Sequence, residues 1–147
     1  MAARTVLQSI TQRHLVSLGP QASVRDAARA MAGAQCGSVL ILDTASGTLL
    51  GILTERDLMV RVLARDLDPQ TTRAEQVMTP APRTVPPDTP VAQAVLTMLE
   101  QGFRHLPIVS ATGAILGVLS MRDALPREIS DAVSLAEFND QVNDALG

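Results

Sequence analysis

Two stretches of the chain echo each other: Gly51-Ile52-Leu53-Thr54-Glu55-Arg56-Asp57 and Gly117-Val118-Leu119-Ser120-Met121-Arg122-Asp123. The echo extends upstream at nearly the same spacing, with Val24, Ala27 and Met31 returning as Val91, Ala94 and Met98. A duplicated unit has to fold the same way twice, so each element read in one repeat is an expectation for the other. The copies differ in length between Asp43 and the motif, where Thr44-Ala45-Ser46-Gly47 faces Ala111-Thr112-Gly113. A turn absorbs such a change without disturbing its flanking elements, so the repeats should agree in elements and differ in a loop. A lone unit of about 60 residues is marginally stable. In a chain of 147 residues that is 46% hydrophobic, the two units are therefore expected to depend on each other.

Composition removes several function classes. The net charge is −3, Trp and Tyr are absent, and Phe103 and Phe138 are the only aromatic residues, so neither the basic footprint nor the stacking platform of a nucleic-acid binder exists. No apolar run approaches the roughly 20 residues of a membrane span, and Met1-Ala2-Ala3-Arg4-Thr5 lacks a signal-peptide core, which reads as a soluble cytoplasmic protein. Lysine is missing altogether, which excludes a Walker phosphate loop, a kinase strand lysine and Schiff-base chemistry. The single cysteine, Cys36, and the two histidines, His14 and His105, lack zinc-ligand spacing. Cys36 reads as a small apolar residue rather than a nucleophile. The expectation is a protein that is not an enzyme.

Each repeat reads strand, helix, strand, strand, helix, an α/β (α+β) pattern. Val16-Ser17-Leu18 is extended, Ser23 can cap a helix with Val24, Ala27, Ala28 and Met31 on one face, and Gly33 to Gly37 ends it. Ser38 to Leu42 and Leu49 to Leu53 are short apolar strands. Glu55 to about Arg65 resumes helical spacing with Leu58, Val62 and Leu63. In the second repeat Thr89 and Pro90 predict an N-cap and a first helical position, and Pro107 predicts an edge position or strand start because it has no N–H to donate. Asp66 to Arg73 reads as a linker. Met78-Thr79-Pro80-Ala81-Pro82 should enter the second unit extended, with Ile10-Thr11-Gln12 in the equivalent place before the first. Pro126 should kink or shorten the helix after Asp123, and Ser134-Leu135-Ala136-Glu137 predicts the start of a docking or dimer helix bearing Phe138, Val142 and Leu146.

The residues of the repeated motif leave two readings open. Thr54-x-x-Asp57 and Ser120-x-x-Asp123 are capping boxes, in which hydroxyl and carboxylate satisfy backbone N–H groups at a helix start. The same groups can hold a ligand: a helix start and a hydroxyl attract phosphate, and a carboxylate accepts from both hydroxyls of a ribose. A capping box tolerates Glu or Gln, yet Asp stands at both positions. Gly51 and Gly117 fit either close approach of a flat ring or strand packing.

With these motifs, the Val77-Met78-Thr79-Pro80 segment, the Thr84-Val85-Pro86-Pro87-Asp88-Thr89-Pro90-Val91 stretch and Arg104-His105-Leu106-Pro107-Ile108-Val109, the chain from about Val6 to Asp123 resembles a tandem pair of CBS domains. This module was first noted in cystathionine β-synthase. The resemblance implies two β-α-β-β-α units packed sheet to sheet about a pseudo-twofold axis, with residues 6–66 and 78–130 as the domains, 67–77 as linker and 131–147 as a C-terminal helix. It implies a regulatory module binding AMP, ADP, ATP, NAD(H) or S-adenosylmethionine between the repeats, with magnesium only as the companion of ATP, and a homodimer that meets a protein partner. Asp57 and Asp123 would grip ribose, with Thr54 and Ser120 beside it. Arg104 and His105 would meet phosphates, where the first repeat has Gly37 and Ser38, so two unequal sites are expected. Arg56 and Arg122 would add positive charge. Adenine would lie among aliphatic residues such as Ile10 and Met78, with Thr11 and Thr79 at their edge. The competing expectation is a structural dimerisation module whose Asp57 and Asp123 serve only as caps.

Overall fold

The computed structural model describes residues 2–10 and 15–146. The elements run α1 (Val6–Ser9), β1 (Ser17–Leu18), α2 (Val24–Ala34), β2 (Ser38–Leu42), β3 (Leu49–Thr54) and α3 (Glu55–Asp57), then a π-helical stretch (Leu58–Leu63). They continue with α4 (Ala74–Val77), β4 (Thr79–Pro80), α5 (Val91–Gln101), β5 (His105–Val109), β6 (Ile115–Ser120), a 3-10 turn (Met121–Asp123) and α6 (Pro126–Leu146). Residues 15–82 form one compact unit; 2–10 with 83–146 form the other. Among the described residues no helix is long and apolar enough to cross a membrane.

In the first-repeat unit the strand order is β1-β2-β3-β4, with β1 parallel to β2 and the other pairs antiparallel. Ser23 caps α2 by accepting the Asp26 N–H, and Val24, Ala27 and Met31 turn inward against Val39, Ile41 and Leu53. Burying each large aliphatic side chain contributes about 1.5–3 kcal/mol. In the other unit β5 and β6 pair antiparallel, and α5 buries Val91, Ala94, Val95 and Met98 over Leu106, Ile108 and Leu119. The counterpart of β1 shrinks here to one bridge, Val85 with Ile108. In the first repeat Leu40 donates its N–H to the Val16 carbonyl. Pro107 stands in the place of Leu40 and has no N–H, so that ladder cannot extend. Both hairpins carry a register shift at the same place, after Ile41 and after Ile108, so the length difference is confined to the turn.

Several expectations are corrected. The helix read from Glu55 to about Arg65 is three residues of α-helix continued by the π-helical stretch. Its wider turn keeps Leu58 and Val62 on the core but swings Leu63 out to 66% exposure. Pro90, not Thr89, occupies the N-cap of α5, without a side-chain cap. The N–H of Val91 is instead taken by the Arg4 carbonyl, while the Thr89 carbonyl accepts the Val6 N–H. Of the two effects expected of Pro126, the shortening is present and the kink is not: the turn after Ser120 stops at Asp123, Ala124 is extended, and a new helix begins. α6 opens at Pro126, and the Glu128 carboxylate accepts the Leu125 N–H, as a third-position acid does at a helix start. Ser134 and Glu137 therefore lie inside α6 and open nothing.

The largest departure concerns the segments ahead of each repeat. Met78 and Thr79, expected to enter the second repeat, belong to the unit of the first. Thr79 pairs with Ile52, Pro80 pairs with Gly51, and Ala74 and Val77 of α4 join the first core. Ile10, expected ahead of the first repeat, is buried with Val6 in the core of the second. The two short helices do the same job in each unit. The Val24 N–H meets the Thr72 carbonyl as the Val91 N–H meets that of Arg4, so the residue two places ahead of each short helix supplies an acceptor to an orphan donor at a long helix's start.

Candidate functional site

β3 and β6 each end in an extended hydroxyl residue before the chain turns. Thr54 Oγ1 accepts the Asp57 N–H at 3.3 Å and donates to Asp57 Oδ2 at 3.0 Å, while Oδ2 also accepts the Thr54 N–H at 2.9 Å. In the second repeat Asp123 Oδ2 accepts the Ser120 N–H at 2.8 Å, and Ser120 Oγ accepts the Arg122 N–H at 3.3 Å. The capping geometry read from the motif is thus present twice. Both aspartates and both hydroxyl residues are half-buried, at the strand end where the sheet meets the helix start. One carboxylate oxygen, Oδ2, carries the cap in each. Oδ1 of Asp57 lies 3.7 Å from the Arg61 Nε.

The neighbouring strand presents a second residue to each motif. Ser38 on β2 stands opposite Thr54, and His105 on β5 stands opposite Ser120. Direct cross-strand partners have Cβ atoms about 5 Å apart, so the Ser38 hydroxyl and the His105 imidazole border their motifs. The preceding carbonyls close the turns: Gly37 accepts the Glu55 N–H at 3.0 Å and Arg104 accepts the Met121 N–H at 2.9 Å. Arg104 is exposed at the rim of its strand, and Arg56 and Arg122 are exposed on the motif turns. One site therefore has a small buried hydroxyl where the other has an imidazole and a neighbouring guanidinium.

The glycines of the motifs are occupied by packing. A Cβ on Gly51 would lie 2.9 Å from the Thr79 carbonyl oxygen and closer still to the Met78 Sδ and Cγ; one on Gly117 would meet Ile10 Cδ1 at 2.6 Å. Met78 and Ile10 thus lie on the two glycines as equivalents, and of the two readings of these glycines, strand packing describes what is seen. Thr79 is half-buried in β4. Thr11 lies outside the described residues.

Three side chains that the sequence did not single out tie the motifs down. Arg61 donates from Nη1 to the Val77 carbonyl at 2.9 Å while facing Asp57, so it joins the first motif to α4. The i, i+4 spacing of Asp57 and Arg61 is a local signal for that pair. Arg4 donates from Nη2 to the Asp123 carbonyl at 2.8 Å and to Glu128 Oε1 at 2.6 Å, and from Nε to Glu128 Oε2 at 3.2 Å. The Arg4 guanidinium holds the Glu128 carboxyl below the usual glutamate range, and the hydrogen bond to Glu128 raises Arg4 in turn. No local pattern could reveal contacts between residues so distant in sequence.

Comparison with known proteins finds the duplication as two successive family matches. The family model for the CBS domain matches residues 7–64 and 74–128. An uncharacterized 17.7 kDa protein of Acidianus ambivalens is 32% identical over 143 residues, spanning 97% of this chain and 84% of that protein. A CBS domain-containing protein of Arabidopsis thaliana is 36% identical over 115 residues, which cover 78% of this chain but 21% of the much longer plant protein. A CBS domain protein of Pyrobaculum aerophilum, solved in complex with AMP, superposes with a TM-score of 0.78 at 27% identity, covering 91% of this chain and 99% of that one. The chain therefore belongs to the CBS-domain family and carries two of these domains in tandem.

Proposed function

We propose that this protein is a non-catalytic sensor of adenosine-containing nucleotides, acting as a homodimer whose ligand occupancy is read by a protein partner. The observation that carries the reading is the recurrence of a half-buried hydroxyl and aspartate at the ends of β3 and β6, with one carboxylate oxygen engaged in the cap. A carboxylate has about four acceptor sites, so a cap and a ribose diol can share it. The AMP complex of the Pyrobaculum relative supports an adenine nucleotide as the ligand class. AMP, ADP, ATP, NAD(H) and S-adenosylmethionine share the adenosine group that these residues would recognise.

In this reading Asp57 and Asp123 hold the ribose hydroxyls, and Thr54 and Ser120 sit beside them. Arg104 and His105 serve phosphate at the second motif, where a planar fork of donors and a titratable imidazole suit a polyanion. Ser38 takes their place at the first, which lowers its preference for charged phosphate chains. Arg56 and Arg122 add positive charge at the rims. Ile10 and Met78 offer the aliphatic surface for adenine, with Thr11 and Thr79 as its polar edge.

A second reading, a structural module without ligand, is favoured by the completed capping boxes themselves. Thermal unfolding with adenosine compounds separates the two. Ligand at about 100 times its dissociation constant should add roughly 2.7 kcal/mol, which is several degrees for a protein of this size. Asp57→Asn with Asp123→Asn keeps an acceptor for the cap but removes the charge, so the unliganded midpoint should hardly move while the ligand shift disappears. A wild type that no adenosine compound shifts would sink the sensor and leave the capping module.

A further inference from the structure

α6 carries two different faces. Ala132 is fully buried, Ile129 packs against the core of its unit, and the half-buried Ala136 continues their line toward α5. Beyond that, every residue from 137 to 146 is exposed. Leu135, Phe138, Val142 and Leu146 are 45%, 61%, 38% and 82% exposed, and their spacing keeps them on one side of a straight helix. That side is rotated roughly 100° from the line that meets α5. The stripe is thus a separate surface and not a ragged extension of the core contact. Helices shorter than about 12–15 residues are marginal in water, so this overhang gains stability from whatever covers it.

We infer that the stripe is where a second copy of this chain docks, the overhangs of two α6 helices packing against each other. The inference rests on the homodimer proposed above and assigns it a surface. Charge selects the occupant. The overhang carries Glu137, Asp140 and Asp144 and no basic residue, but all three acids lie on the side opposite the stripe. Along the paired segment the residues that flank the stripe are Ser134, Asn139 and Gln141, all uncharged, and the exposed Asp131, one turn ahead of Leu135 on the same side, falls past the end of the partner helix. An identical acidic helix can therefore approach without placing like charges together, whereas a basic groove would find no acid at the rim to meet it. The stripe is also self-complementary. In a twofold antiparallel pair Phe138 of each copy meets Val142 of the other, and Leu135 meets Leu146. Because the first half of α6 is already pinned by Ala132, pairing does not have to order a free peptide.

Light scattering on the full chain tests this. Phe138→Glu with Val142→Glu should halve the particle mass, while Glu137→Lys with Asp140→Lys, on the far side of the helix, should leave it unchanged. All four positions are exposed, so both variants should still fold cooperatively and keep any nucleotide-induced thermal shift, with Phe138→Glu/Val142→Glu losing only the stability that pairing adds to the overhang. A Phe138→Glu/Val142→Glu protein that keeps the wild-type mass overturns the assignment to α6 and leaves pairing through another surface. A monomeric wild type overturns the homodimer along with it.

Discussion

At the scale of single residues, the motif glycines show how a short signal can be read correctly as important and still leave its cause open. Gly51 and Gly117 were legible as positions needing close approach, but the approaching group, Met78 or Ile10, comes from a segment whose partner repeat cannot be read locally. Gly117→Ala sets a new methyl 2.6 Å from Ile10 Cδ1. Ile10 Cδ1 is the end of a rotatable side chain and can turn aside, so the change should destabilise the protein by about 1 kcal/mol, the low end of the cost of overpacking. Shortening the neighbour with Ile10→Val should recover part of that loss in a chemical-denaturation cycle. Additive losses in the double variant would show that the two residues do not meet.

At the scale of elements, most of each repeat was legible because hydrophobic period and turn chemistry agree. The two long helices differ mainly in how they end. α5 closes on Gly102 at φ 80°, whereas α2 closes on Gln35 at φ 54°, a left-handed conformation that costs a residue with a Cβ about 1–2 kcal/mol. Gln35→Gly should therefore stabilise the protein by about 0.5 kcal/mol, once the greater freedom of glycine in the unfolded chain is subtracted. Gly102→Ala should destabilise it by about 1 kcal/mol. A Cβ there meets no atom within 4 Å, so the loss is purely conformational. Equilibrium unfolding checks both signs. What element-level reasoning missed were the π-helical stretch and the early start of α6. Apolar spacing does not distinguish a widened turn from a regular one, and the capping signal at Ser134 competes with the true start at Pro126 and Glu128.

At the scale of the molecule, the N-terminal segment is a working part of the second repeat. Val6 and Ile10 fill its core, and Arg4 ties the motif turn at Asp123 to Glu128 at the head of α6. Because Glu128 has a folded pKa below its unfolded value, the stability it contributes is present above about pH 4.3 and is lost as pH falls through the lower folded value. Glu128→Gln should cost about 1 kcal/mol at neutral pH, and the wild-type and variant stabilities should converge in acid. A gap that stays constant down to pH 3 would show that the pairing with Arg4 contributes nothing through charge. The amino-acid sequence alone determined the duplication, the strand and helix content of each copy, and the pairing of Thr54 with Asp57 and Ser120 with Asp123, because period, turns and caps act over a few residues. Only the tertiary structure decided which short helix completes which core, what lies on the motif glycines, and which arginine steadies each motif. Those choices join residues far apart in the chain, and burial and hydrogen-bond demand at a distant site leave no mark on local spacing.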